Sequence, residues 1–351
     1  MKKLVLTFIL ILVHLISNSQ NCIKKGTIEE LKQLKERELA VVIYDEDKEY
    51  IQKLEKKIAK NNRKKEEFKN ELKEYKNHIS FFNKAIKEVV TEYWKLNNTD
   101  NIKYITKKEV NKLAENKSKK FAVLDLTFEK ISADYYNFHT MDIYVITYGS
   151  PIKRRYKSTF KNFINNVIYN LPDHGDKKQK KQIESLKTER ENKAKVLSKE
   201  NLIISISLSQ KYIEKVIKLN KKISFEDFAE QESKENCSKI DNKTILIQEA
   251  SVHGKIQDDL SSLFPKANIQ LVSSDRIAEA IENKEDVFIG FPAIKKFVKQ
   301  KGGVTVILPI SHKILLNTKT KNIVGFVKHS GITSYNYFKK KDFKKLSNQC
   351  K

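Results

Sequence analysis

The sequence predicts an α/β fold, with α+β as the alternative class, built from two tandem copies of one strand–helix–strand–helix–strand–strand domain. Strand-like apolar runs alternate with helical segments, which is typical of a sheet covered by helices. A pattern that starts at Asn101 returns 167 positions later at Asn268. A long helical segment enlarges the first copy, and a second helical segment joins the two copies.

The two copies align without a gap over residues 101–117 and 268–284. Each aligned segment begins with the alternation of a strand, and a polar residue then stands where a short helix would begin. Thr106 and Ser273 are these residues, and their side-chain oxygens can cap exposed N–H groups. The shared cap supports the interpretation of a repeat.

Three further strands are predicted in each copy from apolar runs and alternation. They cover residues 39–44, 121–124 and 143–147 in the first copy, and residues 244–248, 287–289 and 304–308 in the second. Residues 313–316 and 323–327 predict a hairpin at the end of the second copy. A basic helix over residues 339–348 follows it.

The first copy contains a helical insertion at about residues 47–96. Apolar residues recur there at three- and four-residue spacing, from Ile51 to Leu96, which predicts a packing seam along a helix. Polar residues interrupt the seam near Asn61, so we expect a helical hairpin, with one long helix as the alternative. Asp45-Glu46-Asp47 precedes the seam and is interpreted as a helix start, where negative charge is favourable, and not as a cation site.

A helical linker is predicted between the copies. In its centre Ile204, Ile206 and Leu208 alternate with serines as a strand would, but the length and the Lys- and Glu-rich flanks favour a helix. The predicted boundaries are a first domain at residues 21–172, a linker at residues 173–236 and a second domain at residues 237–351.

Residues 1–20 have the order of a secretory signal peptide. Lys2 and Lys3 precede an apolar run, and small polar residues end it. We therefore expect the mature chain to begin near Asn21 and to work in the periplasm or outside the cell. We expect no transmembrane span after cleavage.

The chain has three cysteines: Cys22, Cys237 and Cys350. Exported proteins commonly pair their cysteines, and Cys237 and Cys350 flank the second domain, so they are the disulfide candidates. Cys22 competes as a partner, and the large polar residues before it disfavour lipid modification. The sequence contains neither a Cys-x-x-Cys motif nor a Cys/His cluster, so it predicts no metal site and no cofactor.

The chain is strongly basic, with 69 Lys and Arg against 44 Asp and Glu and a formal net charge of +25. We interpret the excess as solvated surface, with attraction to acidic glycans or anionic lipids as the alternative. Lys153, Arg154, Arg155 and Lys157 are the candidate polyanion-binding residues. Most of the charge is Lys, whereas bidentate base recognition favours Arg, so specific binding of nucleic acid is not expected.

The search for catalytic motifs finds no nucleophile elbow, phosphate-binding loop or zinc-protease motif. The candidate constellation lies in the second copy, where Ser251 and His253 follow the first strand, Asp275 follows the second, and His312 accompanies the later strands. Loops at the carboxyl ends of parallel strands converge on ligand sites, so these residues predict a hydrolase as an alternative function. Each residue also has a structural interpretation as a cap, a helix start or surface, and the sequence favours a protein that is not an enzyme.

The order of strands and capped helices in both copies is similar to that of small α/β domains in bacterial envelope assembly proteins, such as the amino-terminal domain of the periplasmic protein of the Tol system. The resemblance covers the two repeated segments and implies binding to envelope partners. We therefore expect an exported envelope protein of a non-catalytic binding or scaffolding type. A hydrolase and a polyanion-binding or adhesion factor are the alternatives, the expected partners are envelope proteins or acidic glycan or lipid surfaces, and no oligomeric state is predicted.

Overall fold

The structure is a computed structural model of mixed α/β class, and it describes residues 28–97, 99–115, 120–130, 137–147, 159–167, 198–301, 304–328 and 337–349. The predicted signal peptide and Cys22 lie outside the described residues. None of the described helices is long and apolar enough to cross a membrane.

The amino-terminal part of the chain forms a first five-stranded sheet with four helices. Its elements are α1 (Ile28–Leu34), β1 (Glu38–Ile43), α2 (Lys48–Lys60), α3 (Lys65–Tyr93), β2 (Lys103–Thr106), α4 (Lys107–Glu115), β3 (Phe121–Lys130), β4 (Asn137–Thr147) and β5 (Thr159–Val167).

The rest of the described chain forms two helices and then a second five-stranded sheet with its own helices. Its elements are α5 (Lys199–Leu219), α6 (Phe225–Asn236), β6 (Thr244–Gln248), α7 (Leu260–Leu263), β7 (Asn268–Val272), α8 (Ser274–Glu282), β8 (Phe288–Lys301), β9 (Val304–Asn317), β10 (Ile323–Val327) and α9 (Lys340–Gln349).

The two sheets have the same strand order. The first runs β2-β1-β3-β4-β5 and the second runs β7-β6-β8-β9-β10. In each sheet the first three strands are parallel, and the last two strands extend the sheet as an antiparallel hairpin. The carboxyl ends of three parallel strands therefore meet at one edge of each sheet.

Alternate residues along the strands face opposite sides, as the period of a strand requires. In β1, Leu39 and Val41 belong to a large inner cluster that also contains residues of the second sheet, whereas Ala40 and Val42 pack with α4 on the outer face. In β6, Leu246 joins the inner cluster, and the residues beside it pack on the outer face with α7 and α9. Both sheets thus carry helices on both faces.

The predicted insertion is a helical hairpin, which confirms the hairpin over the single long helix. Asp47 caps α2 by accepting a hydrogen bond from the Tyr50 N–H at 3.0 Å, as expected for a helix start. Asn61 ends α2 and accepts from the Lys64 N–H at 3.2 Å, which turns the chain into α3. The two helices touch through the rings of Tyr50 and Tyr75, whose centroids lie 4.8 Å apart.

Helix α5 lies at the centre of the inner cluster, and its helical conformation confirms the helix over the strand for residues 204–208. Leu202, Ile206 and Tyr212 are buried among residues of both sheets. Lys199 at its start lies 3.1 Å from Glu88 of α3 and 3.8 Å from Glu282 of α8. The segment predicted as a linker therefore forms part of the core that both sheets share.

Several strands differ from the prediction. Strands β3, β4 and β8 are longer than the strands predicted at residues 121–124, 143–147 and 287–289. Strand β9 is continuous over Val304–Asn317, although the sequence predicts two separate strands around Pro309. Pro309 lies opposite Lys296 of β8, at a point where β10 does not pair with β9, so the proline removes no hydrogen bond on the open side. Strand β5 was not predicted at all.

Candidate functional site

The carboxyl edge of the first sheet brings together one polar residue from each parallel strand. Tyr44 follows β1, Lys107 follows β2, and Asp125 lies on β3 beside the end of β1. Polar groups at this edge are the usual place for a ligand site in an α/β sheet. These three residues form a polar cluster at this sheet edge.

Tyr44 is held in place by both its backbone and its ring. Its N–H donates to Asn83 Oδ1, and its carbonyl accepts from Asn83 Nδ2, both at 2.9 Å. Its ring stacks on Phe82 with centroids 4.4 Å apart. Burial raises the pKa of the Tyr44 hydroxyl well above its usual value, and the charge of Asp125 raises it further. The phenol is therefore a neutral hydrogen-bonding group at physiological pH.

Asp125 is buried and paired with a cation. Lys107 Nζ donates to Asp125 Oδ2 from the first turn of α4, while the lysine side chain stays half-exposed. A buried carboxylate requires such a partner because the loss of hydration is costly. The arrangement can present a phenol and an ammonium group at the sheet edge, but it contains no nucleophile paired with a base.

Sequence analysis missed this cluster although the signal was present. The predicted strand at residues 39–44 ends at Tyr44, Thr106 was predicted as the cap that precedes Lys107, and Asp125 directly follows the predicted strand at residues 121–124. Ligand sites form at the carboxyl ends of parallel strands, and this rule applies to the first copy as it does to the second.

The second sheet places Ser251 and His253 in the segment after β6. Ser251 is buried, and its hydroxyl has no hydrogen-bond partner among the described residues. His253 is half-buried, its Nδ1 accepts from the Lys255 N–H at 3.3 Å, and its ring lies 5.3 Å from that of Tyr337. A short parallel bridge between Val252 and Phe338 fixes this segment.

Asp275 follows β7, the strand beside β6, and His312 lies on β9. Asp275 is exposed in the first turn of α8, where an acidic side chain favours the helix. His312 is buried in β9, with Nε2 at 3.4 Å from Glu226 Oε1 and its ring 5.3 Å from that of Phe326. Three strand spacings, roughly 14 Å, separate β7 from β9, so Asp275 and His312 are not within hydrogen-bonding distance.

A buried lysine lies on the opposite face of β9. Lys313 Nζ donates to Ser311 Oγ at 2.8 Å, and both residues are almost fully buried. Burial lowers the pKa of Lys313 to about 8, partly offset by the nearby carboxylate of Asp342 in α9. This serine–lysine pair is covered by α9, and sequence analysis gave no signal for it beyond the residue types.

Several predicted residues lie outside the described residues: Lys153, Arg154, Arg155, Lys157 and Cys350. Cys237 is described as a half-buried free thiol. Its Sγ lies 3.7 Å from the carbonyl oxygen of Gln349, which directly precedes Cys350 in the chain. The pairing of the two cysteines stays a prediction.

Within the described ranges, no group of three or more His, Cys, Asp or Glu residues is arranged to hold a metal ion. No protein-family model matches the chain, and neither a curated protein nor a solved structure matches it at a significant level.

Proposed function

We propose that the protein is an exported, non-catalytic binding or scaffolding protein of a bacterial envelope. The observation that carries the proposal is the separation of the predicted catalytic residues: His312 lies inside the core beside Glu226, and Asp275 lies on an exposed helix start three strands away. General acid–base chemistry requires groups within hydrogen-bonding reach of one reacting atom. Each of these side chains instead has a local structural role.

Tandem duplication of one α/β unit belongs to the same proposal. Both sheets have the order second–first–third–fourth–fifth strand, and a short capped helix precedes the third strand in each. Thr106 and Ser273 occupy equivalent positions 167 residues apart and cap α4 and α8. Two similar units around a shared core provide a large rigid surface for partners.

Capture of envelope proteins by the immobilised mature chain, followed by reconstitution with the purified partner, tests the binding role. The variants His253→Ala and Asp275→Asn should bind that partner as tightly as the wild type, because neither residue would carry binding. A parallel panel of ester, peptide and glycan substrates should show no turnover. Turnover that disappears in His253→Ala would overturn the proposal in favour of the hydrolase.

Amino-terminal sequencing of the protein from its native host tests export. We expect a chain that begins near Asn21 and carries no lipid. An intact Met1 or a diacylated Cys22 would contradict this part of the proposal.

A further inference from the structure

The turn of the α2–α3 hairpin is rich in exposed basic residues. The ten residues 56–65 include six basic residues and no acidic residue. All six are exposed, and we call this set the hairpin tip. Its members are Lys56, Lys57, Lys60, Arg63, Lys64 and Lys65.

The two helices of the hairpin are bonded to each other near its base, and the buried residues of α3 all lie in its carboxyl-terminal half, away from the tip. The Tyr50 hydroxyl donates to Glu71 Oε1 at 2.7 Å, and the Asp47 N–H donates to the Tyr75 hydroxyl at 2.8 Å. Further along α3, Phe82 is buried in the inner cluster. At a rise of about 1.5 Å per residue, α2 spans roughly 20 Å between its anchored start and the tip.

The charge of the tip is poorly compensated. Lys64 lies 3.5 Å from Glu67, but both side chains are more than half exposed, and such pairs contribute little. Lys56, Lys60 and Arg63 form no salt bridge with any residue that the structure describes. A tip with this charge attracts anions over a distance set by ionic strength.

The tip also lacks the features of a site for a threaded polymer. Single-stranded nucleic acids bind in basic grooves lined by exposed aromatic side chains. The aromatic residue nearest the turn is Phe68, which is half-buried and covered by Lys57 Nζ at 4.9 Å from the ring centroid. Five of the six basic residues are Lys, which suits a diffuse anionic field better than bidentate recognition. The exposed basic side chains of the hairpin tip can approach a flat anionic surface.

We propose that the hairpin tip binds the anionic phospholipid headgroups of a membrane surface, by charge and without insertion. The proposal rests on the binding role proposed above and names one surface for it. Each Lys or Arg near an anionic bilayer contributes about 1 kcal/mol, which corresponds to about a fivefold change in affinity. The full-length mature chain would then be tethered through the tip while the two sheets remain available to a protein partner.

Co-sedimentation with lipid vesicles tests the proposal. The probe is phosphatidylcholine vesicles with and without phosphatidylglycerol, at low and at high salt. The test variant neutralises four tip residues: Lys56→Gln, Lys60→Gln, Arg63→Gln and Lys65→Gln. The matched control removes the same charge from exposed lysines elsewhere: Lys108→Gln, Lys112→Gln, Lys218→Gln and Lys221→Gln.

We expect wild type and control to bind the anionic vesicles and to be released by salt, and the tip variant to bind at least about a hundredfold more weakly, from about fivefold for each charge. Equal losses in the two variants would mean that total charge decides, and would overturn the proposal. Loss of binding to soluble sulfated glycan in the tip variant, with vesicle binding intact, would overturn it in favour of a glycan. Failure with vesicles leaves the protein-capture experiment unaffected, so the two proposals fail separately.

Discussion

The two sheets share a strand order but differ in the link between their first two strands. In the first sheet, β1 and β2 are joined through α2 and α3, which together contain more than forty residues. In the second, β6 and β7 are joined by short 3₁₀ turns and the four-residue helix α7. The parallel strands keep their register in both cases. Strand pairing and the alternation of buried faces thus determine the sheet, and the link is free to carry a surface of its own.

The largest expected effect is that of a disulfide bond in the second region. Gln349 fixes the chain next to Cys237, because its Oε1 accepts from the Phe326 N–H at 3.1 Å and from Ser233 Oγ at 3.2 Å. We expect Cys237 and Cys350 to form a disulfide on oxidation, and reduction to lower the free energy of unfolding by about 4–5 kcal/mol in the loop-entropy model. Peptide mapping without reduction and unfolding with and without reductant measure this, with Cys22→Ser as the control. Free thiols at both positions would contradict it.

The next prediction compares a buried residue with an exposed residue at the base of the hairpin. Phe82 is 1% exposed and stacks on Tyr44, whereas its neighbour Phe81 is 51% exposed. We expect Phe82→Ala to lower the free energy of unfolding by about 3–5 kcal/mol, because it leaves a cavity in the shared core. Phe81→Ala should change it by less than about 0.5 kcal/mol. Chemical denaturation of both variants provides the measurement. If Phe82→Ala loses as little stability as Phe81→Ala, the base of the hairpin is not part of the core.

A buried lysine in the turn between β9 and β10 predicts that the free energy of unfolding depends on pH. Lys321 is 3% exposed, and burial together with Lys284 lowers its pKa to about 8 from an ordinary value of 10.5. Below pH 8 Lys321 is protonated in both the folded and the unfolded state, so the folded state carries the full free-energy cost of burying the charge. Between about pH 8 and 10.5 the unfolded state binds more protons, so stability rises with pH.

We therefore expect the free energy of unfolding to rise from pH 7 to pH 9.5, by at most about 3 kcal/mol from this group. Lys321→Met should be more stable than wild type at pH 7 and should show a smaller rise. Lys319→Met, at an exposed position of the same turn, is the control and should retain the wild-type rise. A rise that is unchanged in Lys321→Met would show that this lysine is not the source.

The smallest expected effect concerns the two equivalent helix starts. The cap of α4 is reciprocal: the Glu109 N–H donates to Thr106 Oγ1 at 3.3 Å, and the Thr106 N–H donates to Glu109 Oε2 at 2.7 Å. At the start of α8, Ser273 Oγ accepts from the Arg276 N–H at 3.3 Å, and the Arg276 side chain binds Glu285 instead.

Thr106→Ala and Ser273→Ala should each lower the free energy of unfolding by about 1 kcal/mol, because each leaves helix N–H groups without an acceptor. Glu109→Ala should weaken its helix further by removing the reciprocal bond. Thermal unfolding of the three variants compares the caps. A loss in one sheet and not in the other would contradict their equivalence.

The features that the sequence predicts are those set by neighbours in the chain. Strand β6 was predicted with its observed bounds, and the caps at Thr106 and Ser273 are confirmed, because both depend on residues within one turn. His312 could not be placed, since its burial depends on Glu226 and Phe326 from other elements. Strand β5 carries several asparagines, which strands disfavour, and an irregularity in its pairing with β4 breaks the alternation that would have revealed it.

Helix α5 also sets the order in which this chain could become stable if it is exported as proposed. A chain that crosses a membrane from its amino terminus delivers β1–β5 before residues 199–219 emerge. Until Leu202, Ile206 and Tyr212 arrive, the inner face of the first sheet lacks a large part of its apolar covering. In that case the leading half would reach the far side of the membrane with exposed apolar surface, which favours aggregation or capture by a chaperone.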